Sequence, residues 1–338
     1  MHLRMPLPVR RKTLVLVFAL GAALAFAAVA YAGNGGFSPV TPASPNAHDI
    51  NASYKWIAIF TGAIFILVEG TLIWFVVRYR RRGRARTAEG PQIHGATRLE
   101  LIWTAIPVLI LAAIAGFVFY KLPGIKNIPA AKAQGGPLAI RVNAHQFYWQ
   151  FTSPNGAISI DEMHVPAHRV VRVDIYSQDV AHSWWIPALG GKFDAIPGRH
   201  NKTWFQAERV GVYRGRCGEF CGVFHAEMKA QVVAESPADF QSWLATKAAS
   251  DLGREQWVGV CAKCHGPQGQ GGYGPNITTN GLLVQPEGLR TLLVNGQNRI
   301  KPISSYMPPV GRDWTDKQFA ALDVYLRRNI YKGTQSGG

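Results

Sequence analysis

Cysteine is scarce in this chain: there are four among 338 residues, alongside five methionines. So few cannot staple a chain of this length, although each close pair could form one disulfide in an oxidising compartment. Acidic residues are also few, with 20 Asp and Glu against 36 Lys and Arg, leaving a formal net charge of +16. That imbalance suits a nucleic acid, an anionic membrane or an acidic partner. No recognisable nucleic-acid-binding motif is present. The densest basic run, "RYRRRGRAR" at residues 78–86, directly follows an apolar stretch, which points to a membrane flank. No internal repeat is visible.

Long apolar runs, by contrast, are plentiful. Arg10, Arg11 and Lys12 precede "TLVLVFALGAALAFAAVA", and "AYA" at residues 30–32 fits a small-residue cleavage site. This predicts an export signal over 1–32, with an uncleaved membrane helix as the alternative. After an extracytoplasmic segment at 33–53, a two-helix transmembrane hairpin is expected over 54–121. Residues 56–77 and 101–120 are its apolar runs. A helix of about 22 residues spans about 33 Å, enough for a bilayer core. The arginines between 78 and 86 keep the connecting loop cytoplasmic, so the chain beyond residue 121 is extracytoplasmic. Glu69 lies within the first run. A lone acid at mid-bilayer costs roughly 3 kcal/mol, so it should face a protein partner or stay protonated. Glu100 begins the second run, where an acid favours a helix N-terminus.

Short alternating runs such as "LAIRVNA" and "RVVRVDIY", separated by Gly, Pro and Asn, predict an all-β sandwich or barrel over 138–248. Helical texture returns over 250–332, including the amphipathic "TDKQFAALDVYLRRNIY", and predicts a small α-rich domain.

The chemistry sits in the cysteines. "CAKCH" places Cys261 and Cys264 two residues apart with His265 adjacent. Two such thiols can bond the vinyl groups of a haem while the histidine reaches the iron. A redox-active pair would not require the histidine, and a zinc site would need further ligands nearby. Met307 in "SYMPPV" is the methionine of this domain and the candidate sixth ligand; methionine opposite histidine raises the reduction potential. In "CGEFCGVFHAEM", Cys217, Cys221, His225 and Met228 fall within twelve residues. Thiolate, imidazole and thioether together select copper over hard cations. Two thiolates can bridge two copper ions. A second histidine is then needed, and His182 in "DVAHSWWIP" is the candidate.

With these motifs, and with "ELIWTAIP" at 100–107, "HQFYWQF" at 145–151 and "FDAIPGR" at 193–199, the chain resembles subunit II of haem–copper cytochrome c oxidases, in the caa3-type form with a fused cytochrome c. The resemblance implies a two-helix transmembrane hairpin, an all-β cupredoxin-like Greek-key barrel and a small all-α class I cytochrome c domain. It implies that His182, Cys217, Cys221, His225, Met228 and the backbone carbonyl of Glu219 hold the dinuclear copper centre CuA. The Glu219 carboxylate would bind magnesium shared with subunit I. Covalent haem c would sit on Cys261 and Cys264 with axial His265 and Met307. Glu100 resembles the acid at the entry of a proton channel into subunit I. The implied partners are subunit I, other oxidase subunits and a cytochrome c-type donor, at the bacterial plasma membrane with both redox domains periplasmic. The implied activity is that of cytochrome c oxidase, in which electrons pass through haem c and CuA to subunit I for reduction of oxygen to water coupled to proton pumping. The chain departs from the family's "QWYW": Phe147 replaces the tryptophan through which electrons from soluble cytochrome c enter, and a tethered haem domain offers another route. Three rival roles are the same module in a nitric-oxide-reducing relative, a copper-free assembly subunit, and a copper-delivery protein. The complete ligand set argues against the second, and the haem motif against the third.

Overall fold

A computed structural model describes residues 39–80, 92, 95–130, 135–248, 252–297 and 306–333. The expected signal at 1–32 and most of the basic loop lie outside the described residues. Two helices, α1 (Pro45–Tyr79) and α2 (Thr97–Lys126), are long and apolar enough to cross a membrane. Their apolar side chains point outward along most of their length, Leu67 and Leu109 among them. Such a surface suits lipid rather than water. The two helices pack on each other, with Trp56 stacked on Phe117 at 5.0 Å.

Helix α1 starts about two and a half turns before the expected span at residue 54. Its first residues belong to the β domain rather than to the bilayer. Asn46 is buried and donates to the Trp204 carbonyl at 2.8 Å, and Ala43 N–H donates to the Ala188 carbonyl. Asp49 pairs with Lys121 on α2 at 2.8 Å, and Trp204 Nε1 donates to the Ile125 carbonyl. The membrane anchor is thus bonded to the extramembrane domain at both helices.

That domain is two five-stranded sheets with orders β3-β2-β1-β5-β8 and β4-β10-β9-β6-β7. The strands are β1 (Leu138–His145), β2 (Tyr148–Thr152), β3 (Ile158–Ile160), β4 (Glu162–Pro166), β5 (Val171–Ser177), β6 (His182–Trp185), β7 (Phe193–Ala195), β8 (Asn201–Phe205), β9 (Gly211–Cys217) and β10 (Lys229–Glu235). Strands β5 and β10 alternate buried and half-exposed residues, as a sheet with one wet face should. Val171, Val173 and Ile175 face Val232 and Ala234 in one core with Trp149, Phe151 and Met163.

Strand β2 breaks the alternation, because Tyr148, Trp149, Gln150 and Phe151 are all buried. Trp149 and Phe151 enter the sandwich core, while Tyr148 belongs to a second core formed by the helical region. That region contains α3 (Pro237–Ala248), α4 (Leu252–Gln256), a π turn at Trp257–Cys261, α5 (Ala262–His265), α6 (Pro286–Asn295) and α7 (Asp316–Asn329). Its core gathers Trp257, Leu289, Leu293, Trp314, Leu322 and Leu326. Thr315 and Gln318 form a capping box at the start of α7, satisfying N–H groups that would otherwise be orphaned. A Cβ at Gly253 would overlap the Ala321 carbonyl, so glycine is what lets α4 approach α7 so closely. The architecture is therefore two membrane-length helices, a cupredoxin-like β domain and a C-terminal helical region.

Candidate metal and haem sites

Strand register builds the sulfur site. Cys217 ends β9 opposite Trp184 of β6, two residues along from His182. The chain then leaves the sheet, turns through a 3-10 segment at His225–Glu227 and re-enters it at β10. Cys217 N–H donates to the Met228 carbonyl at 2.9 Å, closing the loop at its neck. His182, Cys217 and Cys221 are buried, and their donor atoms lie within 4.8 Å of one another. Cys217 Sγ is 4.0 Å from Cys221 Sγ and 3.9 Å from His182 Nδ1. Cys221 Sγ is 3.6 Å from His225 Nδ1 and 3.7 Å from Met228 Sδ. The Glu219 carbonyl oxygen is 3.1 Å from Cys217 Sγ, while its carboxylate turns away to Lys192 at 3.1 Å. All six residues expected around copper are thus brought together, with the carbonyl and carboxylate of Glu219 facing different ways.

The electrostatics suit a soft cation. Hydrogen bonding from Cys221 first, and then from His182, outweighs burial and brings the Cys217 thiol down to about 3. The adjacent Cys217 and burial push the Cys221 thiol up. Two buried sulfurs sharing one proton are a poor arrangement on their own and a good one for a metal that displaces that proton. Asp179 is a partner that sequence reasoning missed, although it stands in the same "DVAHSWWIP". It accepts from His182 Nε2 at 2.7 Å, which leaves Nδ1 as the free ligand atom facing the thiols. Burial opposes its charge, but His182 and the amides of Gln146 and Val180 hold its carboxyl below the usual range. Trp149 packs edge-on to the His182 ring at 6.0 Å.

Cys261, Cys264 and His265 line a cavity of about 510 Å³ in the helical region, and Met307 lines it too. His265 Nδ1 donates to the Pro275 carbonyl at 2.9 Å, leaving Nε2 free. A Cβ on Gly274 would come within 2.9 Å of that ring, so glycine is needed for the imidazole to sit there. Met307 is pinned by paired backbone hydrogen bonds to Gln297. Burial pushes the Cys261 thiol up to about 12 and raises that of Cys264. Two thiols, an imidazole with one nitrogen tied back and a thioether around an apolar space are a donor set that fits a haem.

Glu100 does what an acid at a helix start does: its Oε1 accepts the Ala96 N–H at 3.1 Å. His145 is the last residue of β1. It is buried, stacks on Tyr148 at 4.6 Å and lies 3.2 Å from Asp313 of the helical region. His164 pairs with Glu235 and stacks on Trp243.

The family described as cytochrome c oxidase subunit II, transmembrane domain, matches residues 34–120, and the periplasmic domain of the same subunit matches 155–236. Residues 248–326 match the family described as cytochrome c oxidase, cbb3-type, subunit III. Cytochrome c oxidase subunit 2 of Alkalihalophilus pseudofirmus is 29% identical over 323 residues, covering 87% of this chain and 91% of that protein. The protein of the same name from Synechocystis sp. is 30% identical over 276 residues, covering 69% of this chain and 82% of the relative. A crystal structure of the periplasmic domain of subunit II of cytochrome oxidase from Bradyrhizobium japonicum aligns at 33% identity and a TM-score of 0.33, covering 36% of this chain and 97% of that one. The two apolar helices and the periplasmic match make this a membrane-anchored protein with a periplasmic β domain. The coverage of the Synechocystis protein, together with the matched transmembrane and periplasmic domains, shows that the chain belongs to the cytochrome c oxidase subunit II family.

Proposed function

We propose that this chain is the electron-input subunit of a caa3-type oxidase, taking electrons from a cytochrome c-type donor. Its modules are the hairpin at 54–121, a CuA domain at 138–248 and a cytochrome c domain at 250–332. Cys261 and Cys264 would hold haem c covalently, with His265 and Met307 as the residues that would ligate its iron. His182, Cys217, Cys221, His225, Met228 and the Glu219 carbonyl would hold two copper ions. When bound, these groups would supply one-electron chemistry at each site, for passing electrons on to haem in subunit I, where oxygen would be reduced to water and protons pumped. The chain's own residues contribute rigidity. The neck bond between Cys217 and Met228 and the Asp179–His182 bond keep the donor atoms in place whatever the charge between them. Glu219, beside Lys192 and Asp194, offers its carboxylate for a magnesium ion at the subunit I contact. Glu69 is exposed on α1 within the apolar band, which fits a neighbouring subunit covering it. Glu100 is the proposed entry acid of a proton channel.

The observation that carries this reading is the convergence of Cys217, Cys221, His182, His225 and Met228 at separations of 3.6–4.0 Å. Metal and haem analysis of the purified full chain tests it. Two coppers and one covalent haem per chain are expected, with a purple oxidised copper centre. One copper with a single intense blue band would overturn the dinuclear assignment. Turnover of the intact complex with oxygen and with nitric oxide then identifies the acceptor.

A further inference from the structure

The helical region lies against the β domain as part of a core. Tyr148 is fully buried, donates its hydroxyl proton to the Val310 carbonyl at 2.6 Å and accepts from Trp314 Nε1 at 2.9 Å. Ile160 joins the same apolar cluster. Gln318 donates to Gln150 at 2.8 Å, and Asn143 donates to Asp313 at 2.7 Å. Gly259, in the π turn, meets the Ile160 side chain so closely that a Cβ there would overlap it.

One side chain ties this contact to the redox groups. Lys263 lies inside "CAKCH", between the two haem-attaching cysteines. Its Nζ donates to Asp161 Oδ2 at 2.6 Å and to the Phe147 carbonyl at 2.9 Å. Asp161 is itself fixed, because its Oδ1 accepts the Trp149 N–H at 2.9 Å. The Phe147 ring packs 5.6 Å from Phe224 in the copper loop, and Gln146 Nε2 donates to the Cys221 carbonyl at 2.6 Å. A narrow space of about 50 Å³ lies among Phe147, Phe224, Cys261, Cys264, His265 and Met307. Residues 146–147 therefore touch both redox regions at once, and Lys263 grips that segment by its backbone.

We propose that Lys263 is a positioning residue for the electron step between the two centres: it clamps the haem-attachment turn to Phe147 and Asp161, so that the haem domain is a docked, immobile donor and residues 146–150 are closed to any soluble one. This rests on the function proposed above. The step moves one electron and no atom, so the haem side is oxidised by one and the copper side reduced by one. No proton or bond changes hands. A tethered, mobile domain would leave Tyr148 and Ile160 in water for part of the time, and the burial of both speaks against it. External donors must then reach the chain through the haem domain.

The test uses the full, metal- and haem-loaded chain. Absorption spectra first establish that both centres are present; their absence would overturn the proposed function and not the docking. Lys263→Met is expected to raise amide hydrogen exchange at residues 145–151 and 158–161 at least tenfold. It should also slow electron transfer from photoreduced haem to copper at least tenfold, with the haem potential and both absorption spectra unchanged. Lys263→Arg should restore most of both. Gly259→Ala provides an independent check: alanine favours a helix, so the change is neutral in an undocked domain, whereas in a docked one it raises exchange at residues 158–161. Unchanged exchange in both Lys263→Met and Gly259→Ala would overturn the proposal, as would slowed transfer with exchange unaltered.

Discussion

Around Cys221 the sulfur and nitrogen atoms lie 3.6–4.0 Å apart on a strand-anchored loop, whereas the residues suited to a haem surround a cavity of about 510 Å³. The first site is shaped by the β domain's own hydrogen bonds, through the pairing of β9 with β6 and β10. The second is lined by apolar residues of the helical region. A small ion needs only donor atoms brought into register, and a sheet supplies that without it. A haem is itself core material. Leu289, Leu293, Leu322 and Leu326 line the cavity as well as belonging to the helical region's core. The two regions should therefore respond to very different degrees to losing their metal groups.

The largest effect is expected from Cys261→Ala with Cys264→Ala, which would remove the proposed covalent bonds to haem. At about 24 cal/mol per Å³ of cavity, a space near 510 Å³ corresponds to on the order of 10 kcal/mol. A domain of roughly 80 residues has about 4–12 kcal/mol of stability in all. The helical region should lose its cooperative melting transition, and Tyr148 should lose protection from hydrogen exchange, while the sandwich still melts cooperatively. A variant that keeps both transitions would show that the cavity is no mould for the haem.

Copper removal by a chelator should act more mildly. The Cys217 neck bond and the His182–Asp179 bond do not depend on the ion. The sandwich should stay folded and lose about 4 kcal/mol, the effect of a ligand at a thousandfold excess over its Kd. Calorimetry on the copper-free full chain checks this. Unfolding of the sandwich on chelation would erase the contrast between the two regions.

Met307→Ala should be smaller again. Covalent attachment should survive, because Cys261 and Cys264 are the proposed attachment points. Truncating a partly buried methionine costs about 2 kcal/mol, and the reduction potential should fall because the thioether ligand is gone. Redox titration of the purified chain reads it; an unchanged potential would assign the sixth ligand elsewhere.

Much of this contrast was legible before any fold was known. The apolar runs marked both membrane-length helices, and the alternation in "RVVRVDIY" marked β5 as a strand with one wet face. Four of the soft ligands were visible because one loop carries them, and spacing within a loop survives into three dimensions. What escaped reading depended on distant partners. The first turns of α1 fall in what the sequence marks only as an extracytoplasmic segment, because their partner is Trp204, far along the chain. Tyr148 and Gln150 break the period of β2 only because Trp314 and Gln318 cover them. Lys263 stood in plain view inside "CAKCH", yet a lysine between two cysteines says nothing of Asp161 until the chain has folded.

The smallest effect concerns acid. Two carboxylates at the contact between the regions are perturbed in opposite senses. Burial works against the charge of Asp313, but the hydrogen bond with His145, supported by Asn143, holds its carboxyl below the usual value of 3.8. Its contribution to docking is therefore complete above that value and lost as the pH falls beneath it. Burial raises Asp161 above 3.8 despite the nearby Lys263 ammonium. Its charged form is thus disfavoured by folding, and stability is gained as the pH falls through its raised value. Descending from neutral pH, docking should first strengthen slightly as Asp161 takes up its proton, then weaken once Asp313 does. Each change should stay near or below the 1.4 kcal/mol that corresponds to about one pKa unit. Hydrogen exchange at residues 145–151 between pH 6 and pH 3, corrected for intrinsic rates, measures it. Asp161→Asn should abolish the initial rise in protection and Asp313→Asn the later fall. A monotonic loss of protection from pH 6 downward in the unaltered chain would mean that the Lys263–Asp161 ion pair outweighs the burial of Asp161. Docking would then depend on that charge pair more than on the apolar core around Tyr148.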